Sequence, residues 1–129
     1  MNAGKKFKIA GLLSLCLLFS GCAIFLLGSG VAGGIAISKD TIEGNWDKSL
    51  DKVWRESREV LMQEGFIRLE NRVGGKIEAE VRKSMVEVEI LQISARTVRI
   101  HVKARKGHKL LPDIDLANGI YNKIFERVK

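Results

Sequence analysis

The residues that could carry chemistry are few. Glu78 and Glu80 lie two apart, which on a strand places both carboxylates on one face about 7 Å from each other, a separation that could suit a glycosidase pair on distance alone. Ser84 and Ser94 fall where turns are expected, with no histidine placed to act as base. His101 and His108 are seven residues apart with no Cys, Asp or Glu between them, so neither strand nor helix spacing converges them with a carboxylate on a metal. Gly28-Ser29-Gly30-Val31-Ala32-Gly33 has the spaced glycines of a dinucleotide site, but lacks the strand before it and the βαβ alternation after it that give the motif its meaning. It reads better as a Gly/Ala tether. None of these groups makes an active site, and an enzyme is not expected; neither is a cofactor or a metal.

The cysteines say more. Of the two, Cys16 follows Leu15, whereas Cys22 follows the small residues Ser20 and Gly21 at the end of an apolar run. Lys5, Lys6 and Lys8 precede that run, and no charged residue occurs between Ile9 and Ser38. A positive n-region, an apolar h-region from Ile9 to Phe19 and a small-residue site form the three parts of an export signal. The run also exceeds the roughly 20 residues that span a hydrocarbon core, so an uncleaved membrane helix is the alternative. The glycines of its second half argue against that alternative. With Cys16 removed and Cys22 at the new N-terminus, the remaining chain holds no disulfide and no thiol-based metal site.

The elements that must position any site lie between Lys39 and Lys129. The chain has 129 residues, enough for one domain, with 22 Lys and Arg against 15 Asp and Glu, for a net charge of +7. A product beginning at Cys22 loses three lysines and no acid, and carries +4. An extended segment from Ile35 to Trp46, strand from about Lys39, leads to a helix that Asn45 or Asp47 starts and Gly65 ends, Gly65 supplying a left-handed residue. Leu50, Val53, Trp54, Ser57, Val60, Leu61 and Glu64 trace its inner face. Four alternating runs follow. Their inner residues are Ile67, Leu69, Asn71 and Val73; Ile77, Ala79 and Val81; Val86, Val88 and Ile90 after a turn at Lys83-Ser84; and Val98, Ile100 and Val102. Pro112-Asp113 then introduces a helix with Leu116, Ile120, Ile124 and Val128 on one face. The fold class is α+β, in the order β-α-β-β-β-β-α: a four-stranded antiparallel meander plus an N-terminal strand, with two helices on one face. Trp54, Phe66, Tyr121 and Phe125 are expected in its core. On the polar face this pairing sets Glu78 near Glu89 and Glu80 near Glu87, with Arg72, Arg99 and His101 beside them.

Between Gln92 and Pro112 there are six basic residues and no acid. Arg99, Lys103, Arg105, Lys106 and Lys109 are therefore the candidate binding surface for an anionic partner: a lipid headgroup, a cell-wall polymer or an acidic protein. No aromatic residue interleaves them as nucleic-acid binding would want.

Leu18-Phe19-Ser20-Gly21-Cys22 resembles the lipobox of bacterial lipoproteins, with Phe19 where Leu is usual. The resemblance implies that residues 1–21 are removed, that Cys22 is acylated (palmitate among its chains), and that residues 22–38 tether a single domain, 39–129, to a membrane. Ala23 follows the cysteine where Asp would imply inner-membrane retention, so the outer membrane, facing the periplasm, is favoured. Ser49-Leu50-Asp51-Lys52-Val53-Trp54, Leu61 and Gly65-Phe66 resemble a family of small bacterial lipoproteins of unknown function over nearly the whole chain from Cys22. The Val-Trp helix with Gly-Phe is also similar, over a shorter stretch, to the helix-grip domains of the C lipoprotein of the outer-membrane barrel-assembly machinery. These resemblances imply an extracytoplasmic, lipid-anchored, helix-grip-like domain with a binding or scaffold role. A carrier of a small apolar ligand and a single-pass anchored domain are the alternatives.

Overall fold

The computed structural model describes residues 35–108 and 111–129. The segment expected to be an export signal, Cys22, most of the expected tether and Lys109 lie outside the described residues. Two short strands, β1 (Ala36–Ile37) and β2 (Thr41–Trp46), precede helix α1 (Leu50–Glu64). Strands β3 (Phe66–Asn71), β4 (Lys76–Val81), β5 (Ser84–Gln92), β6 (Val98–Lys106) and β7 (Leu111–Pro112) follow, and helix α2 (Ile114–Val128) ends the chain. All pairings are antiparallel, in the order β1-β2-β6-β5-β4-β3, with β7 paired to β6. The α+β class and the two helices are as expected, and the sheet has seven strands because β1 and β7 join it.

Alternation explains the central strands. Ile77, Ala79 and Val81, Val86, Val88 and Ile90, and Val98, Ile100, Val102 and Ala104 are buried on one face. Both helices cover that face, α1 over β4 and β5 and α2 over β6 and β2. Val53, Trp54, Val60 and Leu61 of α1 and Ile120, Tyr121 and Ile124 of α2 fill the space between. Each helix has its own cap. Ser49, not Asn45 or Asp47, starts α1 by accepting from the Lys52 N–H, and Asp113 starts α2 by accepting from the Leu116 N–H. Asn45 belongs to β2.

Gly65 ends α1 for a different reason from the one expected. Its φ of −174° is extended, not left-handed. What excludes a side chain is proximity, because a Cβ here would lie 1.9 Å from the Glu80 carbonyl oxygen. The chain therefore passes from helix to strand with no loop, and Phe66 pairs with Glu80 on the face away from the helices. Phe66 is 78% exposed, contrary to its expected place in the core. A bulge between Ile67 and Leu69 then turns Leu69 to the same open face, since one extra residue reverses the alternation. Phe125, also expected inside, is 40% exposed. It packs with Tyr121 around Trp46 at ring distances of 5.6 and 5.1 Å, and Trp46 takes the core place at this end.

Candidate functional site

The face of the sheet opposite the helices carries the charged residues singled out from the sequence. Its register differs from expectation by two residues, because the β4–β5 turn is Arg82-Lys83 rather than Lys83-Ser84. Glu78 therefore faces Glu87, Glu80 faces Met85, and Glu89 faces Lys76. One like-charge pair results instead of two, and Lys76 answers it, with Nζ 3.0 Å from Glu78 and 2.9 Å from Glu87. These two carboxylates hold the Lys76 ammonium well above the ordinary lysine range. Glu80 is paired to Arg68. Glu78 and Glu80 are thus bound into an ion-pair ladder and do not face each other across a cleft.

Strand β6 continues the ladder. Arg99 Nε lies 3.1 Å from Glu43 and donates to Asn45 Oδ1 at 3.0 Å. His101 Nδ1 is 3.2 Å from Glu89, in hydrogen-bond geometry, and its Nε2 lies 3.1 Å from Glu43 without such geometry. Arg105 donates from Nε to Asp40 Oδ2 at 2.7 Å, and this hydrogen bond is the main reason the Asp40 carboxyl lies below the usual range. Lys106 Nζ is 3.7 Å from Asp113. Of the candidate cations, Arg99, Arg105 and Lys106 thus have carboxylate neighbours brought from β2, the β1–β2 turn and the start of α2. Lys103 stands between Thr41 and Glu87 on the open face. Glu43 and Asp40 are more than fifty residues from these cations in sequence and Asp113 lies just past the end of their run, so the run between Gln92 and Pro112 looks more electropositive on paper than it is in space.

Ser84 is the first residue of β5, not part of a turn. It is 2% exposed, and its hydroxyl donates to Asp113 Oδ2 at 3.1 Å. Ser94 does lie in a turn, where its Oγ accepts from the Arg96 and Thr97 N–H groups. Beside Ser84, an open cleft of about 490 Å³ is lined by Glu64, Arg82, Lys106, Asp113, Asp115 and Lys123, among others. Arg82 and Lys123 both reach Glu64 there, so its charges are matched.

One feature was not visible from the spacing of the sequence. Arg82 and Lys83 both have positive φ, 50° and 65°, forming the two-residue hairpin turn that usually takes Asn-Gly. The left-handed conformation costs an ordinary residue roughly 1–2 kcal/mol. His108, beside Gly107, repeats it at φ 52°. Ser84 pairs with Lys106, so both turns project from the same end of the sheet. Arg82 and Lys106 are mostly exposed there, and Lys83 is exposed as well. Neither a protein-family model nor a curated protein matches this sequence.

Proposed function

We propose that the protein is a membrane-anchored bacterial lipoprotein whose folded domain serves a non-enzymatic binding or scaffold role in the cell envelope. The observation that carries this reading is Leu18-Phe19-Ser20-Gly21-Cys22 at the end of a charged-then-apolar leader. A cysteine thiolate is the nucleophile that thioether formation needs, and two small residues before it suit a narrow cleavage site. Lipid on Cys22 holds the domain at a membrane, the outer one being favoured by Ala23. The domain supports binding through its surface more than carriage of an apolar ligand, because Trp54, Leu61, Ile120 and Tyr121 occupy the space between helices and sheet where such a ligand would lie.

The test is the intact mass of the protein extracted from membranes, beside that of Cys22→Ala. A mass equal to residues 22–129 plus acyl chains, lost in the variant, is the expected result. A full-length, unmodified mass in both would overturn the lipoprotein reading in favour of a single-pass anchor.

A further inference from the structure

Phe66 and Leu111 are exposed at opposite margins of one end of the sheet, Phe66 at 78% and Leu111 at 65%. The pairings align them across the strands. Phe66 pairs with Glu80, Glu80 with Met85, Met85 with Arg105, and Arg105 with Pro112, next to Leu111. Four strand spacings separate the two side chains, about 19 Å. Between them project the turns Arg82-Lys83 and Gly107-His108, together with Lys106. An end that shows an aromatic ring, a leucine and several cations has the make-up of a surface that enters a membrane interface. There the apolar groups reach the acyl boundary and the cations stay with the headgroup phosphates.

We infer that this end of the sheet, through Phe66, Leu111, Arg82, Lys83 and Lys106, docks on an anionic phospholipid surface. The inference deepens the lipid-anchored reading and rests on it for the nearness of a bilayer. The acids at this end do not cancel the attraction. Glu80 is held by Arg68, and Glu64 is held closest by Lys123, so that Arg82, 3.5 Å from Glu64 and mostly exposed, can turn to a headgroup. Asp113 is nearly buried, caps α2 and accepts from Ser84, which leaves Asp115 as the exposed acid. Reach is sufficient too. Roughly a dozen residues join Cys22 to Ile35 and span at most about 45 Å, whereas five strand residues, about 17 Å, separate the level of Ala36 from that of Lys106. Left-handed Arg82 and Lys83 are also accounted for, since Asn-Gly would relax the turn and remove both charges.

The experiment uses the full chain as isolated from membranes, its acylation read by intact mass. It is reconstituted in vesicles of phosphatidylcholine alone or with about a third phosphatidylglycerol, and followed by amide hydrogen exchange. Docking slows exchange at residues 82–84 and 106–108 by tenfold or more in the anionic vesicles only, and 0.5 M salt reverses it. Arg82→Asn with Lys83→Gly, which suits the turn and keeps the fold, weakens docking about 30-fold, roughly fivefold for each cation lost, and so abolishes a slowing of about tenfold. Phe66→Ser reduces it independently of salt. Equal exchange in both vesicles on acylated protein overturns the docking and leaves the anchor intact. An unmodified mass overturns the anchor, and the same vesicle comparison still decides the docking.

Discussion

A methyl group at residue 44 tests the core at the point where it is least able to give. Gly44 lies in β2 against Tyr121 of α2, and a Cβ there would fall 1.9 Å from the phenolic oxygen and 2.9 Å from Cζ. Tyr121 is 2% exposed, and its oxygen accepts from Trp46 Nε1 at 2.9 Å. For Gly44→Ala the ring has to retreat by about 1.5 Å to reach ordinary contact. Overpacking of this kind costs about 1–3 kcal/mol, and pulling the acceptor from a buried indole N–H costs about 1–3 kcal/mol more. The lower chain entropy of alanine returns no more than about 1 kcal/mol, so a loss of about 3–4 kcal/mol is expected. Tyr121→Phe alone orphans the indole and costs about 1–3 kcal/mol. In that background the worst clash is gone, and the remaining ring carbon has only to shift by a few tenths of an ångström. Gly44→Ala should then cost about 1–2 kcal/mol, giving a coupling of about 1–3 kcal/mol. Urea unfolding followed by tryptophan fluorescence measures all four corners of the cycle. Effects that add within about 0.5 kcal/mol would refute the argument that the oxygen is what excludes a side chain at residue 44.

Three further outcomes follow from the same packing. Ser57 of α1 is fully buried, and its Oγ has no hydrogen-bond partner among the described residues, so Ser57→Ala should raise stability by about 1 kcal/mol in urea unfolding. Gly119, within α2, has open space where a Cβ would go, and Gly119→Ala should add about 0.8–1 kcal/mol and raise the melting temperature. Because Arg105 lowers the Asp40 carboxyl, the unfolded chain takes up this proton more readily. The contribution is complete above the ordinary aspartate range, near pH 4, and is lost as pH falls through the folded value. Urea midpoints measured from pH 6 to pH 2 should fall less steeply for Arg105→Gln than for the wild type.

Local periodicity makes most of the layers legible. Strands β4, β5 and β6 alternate without interruption, and α1 and α2 repeat their apolar residues at helical spacing, so residue spacing alone identifies their inner faces. What spacing does not reveal depends on single residues whose effect is set by neighbours distant in sequence. The β3 bulge reverses Leu69, and nothing in Phe66-Ile67-Arg68-Leu69 announces it. Gly65 has the usual look of a left-handed helix end, while the reason for it lies on Glu80, fifteen residues later. Arg82-Lys83 does not resemble a tight hairpin turn, and placing that turn one residue late displaces every Glu pairing on the open face by two. The candidate cations Arg99, Arg105 and Lys106 are identifiable as a run, but their partners Glu43, Asp40 and Asp113 come from other elements. Charge along a sequence counts neighbours on the chain; the field at a surface counts neighbours in space.

The position of β2 between β1 and β6 governs when this domain can be completed. Strands β3 to β6 connect in sequence and can zip together as each follows the last, but β2 pairs its residues 41–46 with residues 98–103. Whatever channel delivers the chain with its N-terminus leading, β2 waits with only β1 beside it until more than fifty further residues have emerged. Closing so long a loop is the step that slows folding. A chain that is four-fifths delivered therefore still lacks its full sheet, and α2, which covers β2 and β6, comes later still. The topology itself delays closure of the sheet until almost all of the chain has emerged.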